Sequence, residues 1–352
     1  MVDETMLQKL LLFTFPLFAG IVVPLPKSDC LSAPICEYPA MTAGYNAPEG
    51  YAIRQDWGVV FSGSFIYWQP SEEGLELGQS RLIDSYGNTT GRVLGFSSEF
   101  APGFKGKLGG RTGFDNWDFH AEYTWLYTTH GHASSLQPGA IYFYTPWFYG
   151  EYNTEVVLTG DAKAVWKLHT NIVDLVLGRS FFVGRCLVFH PFLGARGDWF
   201  FQRYFLEALI DISYNYNAMT RQRSWGMGPR AGLETNFHMG PFHAFGVIGA
   251  SLLYSTFDLS YATQNLLSAL TYAFKDKESY ITPDAEISLG MGWGNYFSDH
   301  GWHFDLAASY EFQIFWNQNG MRHLVDVINA GSSSNNGNLF FQGLNVTMQF
   351  DF

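Results

Sequence analysis

His130, His132 and Ser134 fall in one short run, His-Gly-His-Ala-Ser. A hydrolase built on an imidazole and a hydroxyl needs both within hydrogen-bond reach, with an acidic or amide group to orient the base. The run lies in a stretch expected to be an outer loop, where a surface-facing site would belong. Its spacing is nonspecific, and no catalytic residue is assigned. His190 with Asp198, and His303 with Asp305, read more simply as polar groups facing an interior. The glycine-rich stretch from Gly106 to Gly113 lacks the Lys-Ser/Thr ending of a phosphate loop, and glycine in a strand permits close approach or twist. No paired Cys-x-x-Cys or His-x-x-x-His spacing marks a zinc site. The expectation is a chain without metal or cofactor that is not an enzyme.

A second set of side chains has a different use. Lys105, Lys107, Arg111, Lys163, Lys167, Arg196 and Arg230, with Asp118, Glu122, Glu234, Asp284, Glu286, Asp305 and Glu311, lie in segments where apolar and polar residues alternate. Such charges could line the inside of a closed sheet. The two signs balance, so no strong ion selectivity is expected of that lining.

The elements that would position them are strands. The hydrophobic fraction is 47%, yet the mean hydropathy is -0.04, so apolar and polar residues are finely mixed. No series of apolar runs of about 20 residues, which membrane helices need, is present. Aromatics make up 18% and there are 37 glycines, a composition that suits interface girdles and closely packed strands. A net charge of -12 without a basic block argues against a nucleic-acid partner. The apolar run from Leu10 to Val23 follows Lys9 and suits a secretory signal core. Residues 1–29 are therefore expected to be a signal region, 30–56 a periplasmic segment and 57–352 the barrel. Cys30, Cys36 and Cys186 are the cysteines. In an exported chain, Cys30 and Cys36 could close a small loop, or either could cross-link to a neighbour.

From Trp57 onward, period-2 segments alternate with long and short connections. The ninth segment is clearest: Trp302, Phe304, Leu306, Ala308, Tyr310, Phe312, Ile314 and Trp316 share one face, opposite His303, Asp305, Ser309, Glu311 and Gln313. A tilted spanning strand needs about 9–11 residues, so Trp302 and Trp316 would bracket the hydrocarbon. Trp57, Trp117, Trp125 and Trp293 are expected in the same interface girdle, where an indole keeps its N–H wet. In the fourth segment Ala162, Ala164, Trp166 and Leu168 are expected outward and Lys163 and Lys167 inward, with a bulge near Ile172. Long connections are expected at 70–98, 129–160, 200–223, 257–279 and 317–338, with a short helix within NLLSALTYAF. Backbone groups cannot go unpaired in lipid, so the sheet must close. The fold class is all-β: a transmembrane antiparallel up-and-down β-barrel of about ten strands, eight to twelve being compatible, with long outer loops and short periplasmic turns. The last segment, LFFQGLNVTMQFDF, alternates and ends on an aromatic. Phe350 and Phe352 look like the C-terminal signal of barrels handled by the outer-membrane assembly machinery, which with outer-membrane lipid is the expected partner.

Several blocks carry a family resemblance: YWQPSEEGLELG, FAPGFKGKLGG followed by WDFHAEYTWLYT, WKLHTNIVDLVLGRSFFV, FLGARGDWF, SLLYSTF, YEFQIFWNQN and the closing QGLNVTMQFDF. In this order they resemble the Legionella-type major outer membrane proteins, over about residues 57–352. The resemblance implies an outer-membrane location and a porin-like pore for ions or small solutes. The alternative is a structural or adhesive barrel with a filled lumen and interacting surface loops.

Overall fold

The computed structural model describes residues 57–83, 89–112, 116–134, 142–149, 162–183, 186–210, 214–265, 271–297, 302–330 and 336–352. The expected signal region and periplasmic segment lie outside them. In chain order the elements are β1 (Trp57–Glu72), β2 (Gly78–Ile83), β3 (Thr89–Leu94), β4 (Ala101–Thr112), β5 (Trp117–Ser134), β6 (Tyr142–Tyr144), β7 (Ala162–Arg179), β8 (Phe181–Val183), β9 (Leu187–Ile210), β10 (Tyr214–Met239), β11 (Phe242–Asn265), β12 (Thr271–Phe297), β13 (Trp302–Asn319), α1 (Gly320–Ala330) and β14 (Gly337–Asp351).

The wall runs β1-β4-β5-β7-β9-β10-β11-β12-β13-β14, and β14 pairs with β1 again. Every pairing is antiparallel, so the wall is a closed ten-stranded up-and-down barrel. The seam extends to the last residue: the Val59 N–H donates to the Phe352 carbonyl and the Phe352 N–H to that of Val59, both at 2.9 Å. Closure leaves no edge strand to lipid. At one end the connections are short. Gly240, at φ 68°, supplies the left-handed residue for the tight link between β10 and β11.

The strands are longer than a membrane requires. β12 has 27 residues and β10 has 26. At about 3.3 Å per residue and a tilt near 45°, such a strand rises roughly 60 Å, against about 30 Å of hydrocarbon. The excess stands above the membrane, and there the polarity of the wall inverts. β7 shows this in one continuous register with β9. In its lower part Leu175 and Leu177 are exposed on the lipid face and Asp174 is buried inside. In its upper part Lys163 and Lys167 are exposed on that same outer face, while Ala162, Ala164, Trp166 and Leu168 are buried inside. The expected phase change at Ile172 does not occur: no bulge interrupts the ladder. Lys163 and Lys167, expected in the lumen, point outward.

The expected long connections at 200–223 and 257–279 are mostly strand: β9 continues to Ile210, β10 begins at Tyr214, β11 runs to Asn265 and β12 starts at Thr271. Thr271 to Phe274, the described end of NLLSALTYAF, is strand rather than helix. His130 lies inside β5, and its ring stacks on Trp166 at 5.5 Å. The whole run, expected in an outer loop, is thus strand: His132 and Ser134 also lie in β5, paired with β7.

Candidate functional site: the lumen and its plug

Alternation along the lower strands sends one side chain in two into the barrel. Arg196 on β9 is the centre of the waist. Its Nε and Nη2 donate to the two oxygens of Asp174 on β7 at 2.7 and 2.8 Å. Its Nη1 reaches Asp284 at 2.7 Å and its Nη2 reaches Glu286 at 3.0 Å, both on β12. β9 and β12 are not neighbours, so these bonds cross the lumen. Arg230 on β10 pairs with the other oxygen of Glu286, and Gln313 Nε2 donates to Glu286 at 3.1 Å. On the opposite wall Lys105 on β4 donates to Glu311 on β13 at 2.8 Å. Asn345 holds the second Glu311 oxygen at 2.7 Å. Lys105 also lies 4.9 Å from the Trp68 ring centre. Taking such charges out of water is tolerable only when they are paired and bonded this fully.

Toward the short-turn end the lumen opens. Asp118 and Glu122 keep 22% and 28% of their side-chain surface, and Glu234 36%. Imidazole–carboxylate pairs line this vestibule. His190 Nε2 meets Asp118 at 2.6 Å, and His303 Nδ1 meets Asp351 at 2.9 Å. His243 lies 3.5 Å from Asp305, and Arg111 lies 3.6 Å from Asp351. The four residues read from sequence as interior polar groups, His190, Asp198, His303 and Asp305, all face inward, with His190 bonded to Asp118 and His303 to Asp351.

Below the plug the described lumen wall carries Lys105, Lys107, Arg111, Arg196 and Arg230 as its five cations. Its ten carboxylates are Asp118, Glu122, Asp174, Asp198, Glu234, Asp284, Glu286, Asp305, Glu311 and Asp351. The balance expected from sequence gives way to an acidic excess: Lys163 and Lys167 leave the set, Asp174 and Asp351 are added, and Asp198, already read as an interior group, is counted with them.

Above the waist the interior is largely apolar, with Gln202, Thr220, Gln222 and Ser224 buried among the hydrophobic side chains. β13 ends in a register shift between Phe315 and Asn319, where Asn317 adopts φ 55°, and the chain turns inward as α1. Asn319 caps this helix, its side-chain oxygen accepting from the N–H groups of Met321 at 3.1 Å and Arg322 at 3.4 Å. Met321, Leu324 and Val325 are buried with Trp147 and Phe148 from the segment after β6. Trp147 stacks on Tyr204 at 4.1 Å and donates to the Glu76 carbonyl at 2.7 Å. The Tyr261 hydroxyl donates to the Trp147 carbonyl at 2.7 Å. Gln222 on β10 accepts from the Gly320 N–H at 2.8 Å. Together these side chains form a buried plug inside the upper barrel. α1 was missed because NQNGMRHLVDVINAGSSSNNG begins and ends in loop-forming residues; the Asn cap followed by apolar residues at helical spacing was the available signal.

On the outer face Trp117, Trp125, Trp293, Trp302 and Trp316 all have the lipid-facing phase, as do Phe350 and Phe352. The side chain of Trp57 lies outside those described. Cys186 is disulfide-bonded, whereas Cys30 and Cys36 lie outside the described residues. Among the described residues no helix is long and apolar enough to cross a membrane; the crossing is made by strands.

A family model described as the Legionella pneumophila major outer membrane protein precursor matches residues 53–352. No curated protein sequence matches the chain. Among solved structures the Escherichia coli outer membrane protease OmpT is similar with a TM-score of 0.42 at 10% identity, over 84% of this chain and 96% of its own. A Pseudomonas aeruginosa FadL homologue aligns with a TM-score of 0.26 at 10% identity, over 86% and 91%. The Yersinia pestis attachment invasion locus protein Ail, solved with a heparin analogue, aligns with a TM-score of 0.23 at 7% identity, over 84% and 99%.

Proposed function

The chain belongs to the family of the Legionella pneumophila major outer membrane protein, and from this premise we propose that it is a porin-like barrel of the outer membrane whose resting state is shut. The observation that carries the reading is the division of the interior. A charged lumen, wet at its periplasmic end, lies beneath a dry plug made of α1 and residues 145–149. Neither piece belongs to the barrel wall, so the plug can leave without breaking a wall hydrogen bond. Once it leaves, water reaches the waist and the ion pairs around Arg196 exchange partners with it. Small ions then pass between side chains that remain charged. Solutes much larger than a hydrated ion do not fit a ten-stranded barrel lined this way.

The waist also favours a second reading, a filled structural barrel whose work lies in its outer surface. Planar-bilayer recording separates the two. Wild-type protein is expected to show rare, brief openings. Replacing Gly320–Ala330 by a Gly/Ser linker is expected to give frequent stepwise currents, with larger steps when Arg196→Ala is added. Silence from both variants, while they keep the heat-modifiable mobility of a folded barrel, would establish the filled barrel instead.

A further inference from the structure

The inverted upper wall leaves one row of side chains without an explanation. Lys167 on β7, Arg203 on β9 and Arg221 on β10 are directly opposite one another in the two ladders. All three are exposed on the outer face. Like charges directly opposite on a sheet repel and destabilise the pairing. Neighbouring cations are treated differently: Lys163 faces Glu207, and Arg223 faces Asp258, which lies 3.8 Å from Lys277. The three in the row have no ion-pair or hydrogen-bond partner for their side chains among the described residues. At each end the row continues into a hydroxyl, Thr129 opposite Lys167 and Ser260 opposite Arg221. In a chain of net charge -12 this concentration of cations is local.

Its height suggests the missing anion. Two residues farther toward the membrane on the same face the next row reads Tyr127, His169, Phe201 and Arg223, and beyond it lie Trp125, Trp199 and Trp225. Those rings form the aromatic belt, where acyl chains give way to headgroups. The row therefore sits at headgroup level of the outer leaflet. Strands are about 4.8 Å apart, so three cations span roughly 10 Å, a width that surrounds one or two phosphates. We propose that Lys167, Arg203 and Arg221 form a docking site for a phosphate-bearing lipid headgroup of the outer leaflet, with the acyl chains lying over the belt below. The guanidinium forks of Arg203 and Arg221 suit phosphate oxygens, and binding relieves the repulsion within the row. The proposal rests on the outer-membrane barrel and not on whether its lumen conducts.

The test uses the full-length barrel in neutral detergent with bisphosphorylated lipid A as probe, at low salt, read by native mass spectrometry and a titration. Wild type is expected to retain the lipid. Near an anionic headgroup each neutralised cation costs about fivefold in affinity, and K167Q/R203Q/R221Q together about a hundredfold. K277Q, which removes an already paired charge nearby, is expected to stay within twofold. Removing the lipid A phosphates should cost as much as the triple variant. The substituted side chains are exposed, and heat-modifiable mobility reports whether each barrel is folded. Binding by the folded triple variant within twofold of wild type would overturn the proposal. So would undiminished binding of phosphate-free lipid A. Equally tight binding of inorganic phosphate would show a site for free anions rather than for lipid.

Discussion

Arg196 touches four carboxylate oxygens with one guanidinium, and its removal leaves Asp174 and Asp284 in a closed space. Breaking a buried ion pair from one side costs about 3–5 kcal/mol, so Arg196→Met is expected to lower the denaturant stability of the detergent-solubilised barrel by about that amount. Asp174→Asn with Arg196 intact should cost less, because Asp284 and Glu286 still hold the guanidinium. Truncating Trp147 to Ala removes a stacked, fully buried indole and is expected to cost about 3–5 kcal/mol. Most inward charges were legible because a charge in an alternating strand avoids lipid. Lys163 and Lys167 were misplaced by the same rule. They share a strand face with Leu175 and Leu177, and nothing local in the sequence states that the medium outside changes from lipid to water along one strand. Asp174 was left out of the inward set, although a phase change near Ile172 would itself have turned its side chain inward, where it lies.

Among the elements, α1 is the one on which the proposed opening depends. Asn319→Ala removes its cap at a cost of about 1 kcal/mol, which also frees the Glu73 carbonyl held at 2.6 Å by the Asn319 amide. The expected result is a several-fold rise in opening frequency in bilayer recordings, without a change in step size. Wall strands with a lipid face on one side and a charged lumen on the other, β13 above all, were plain in the sequence, because lipid and water enforce strict alternation. The upper halves of β9 to β12 were not, because an aqueous outside and a greasy inside invert that code. The sidedness has its own check. A cysteine replacing Lys163 should react with a membrane-impermeant maleimide on intact cells. One replacing Met239, exposed beside the short turn, should react only after the outer membrane is permeabilised. The reverse pattern would turn the barrel over.

For the molecule as a whole, five cations against ten carboxylates in the lower lumen make the interior an acidic corridor. When opened by plug removal it is expected to prefer cations, read as a reversal potential of the corresponding sign across a salt gradient. Asp118→Asn with Glu122→Gln should move that potential toward zero. The number of strands and their order could be inferred from the rhythm of the chain, because each crossing obeys the same constraint. The net sign of the lining could not, because it depended on the outward facing of Lys163 and Lys167 in the upper wall and on Asp174, Asp198 and Asp351, which were not counted in the expected lining. The seam between β1 and β14 has a kinetic consequence. Ser64 and Thr347, 2.8 Å apart across it, are separated by 283 positions in the chain. Until the final strand has left the ribosome, the first is paired only with β4 and has a bare row of amides along its other edge. The unclosed ribbon is slow to find its last contact and, until it does, has an edge open to pairing with other chains.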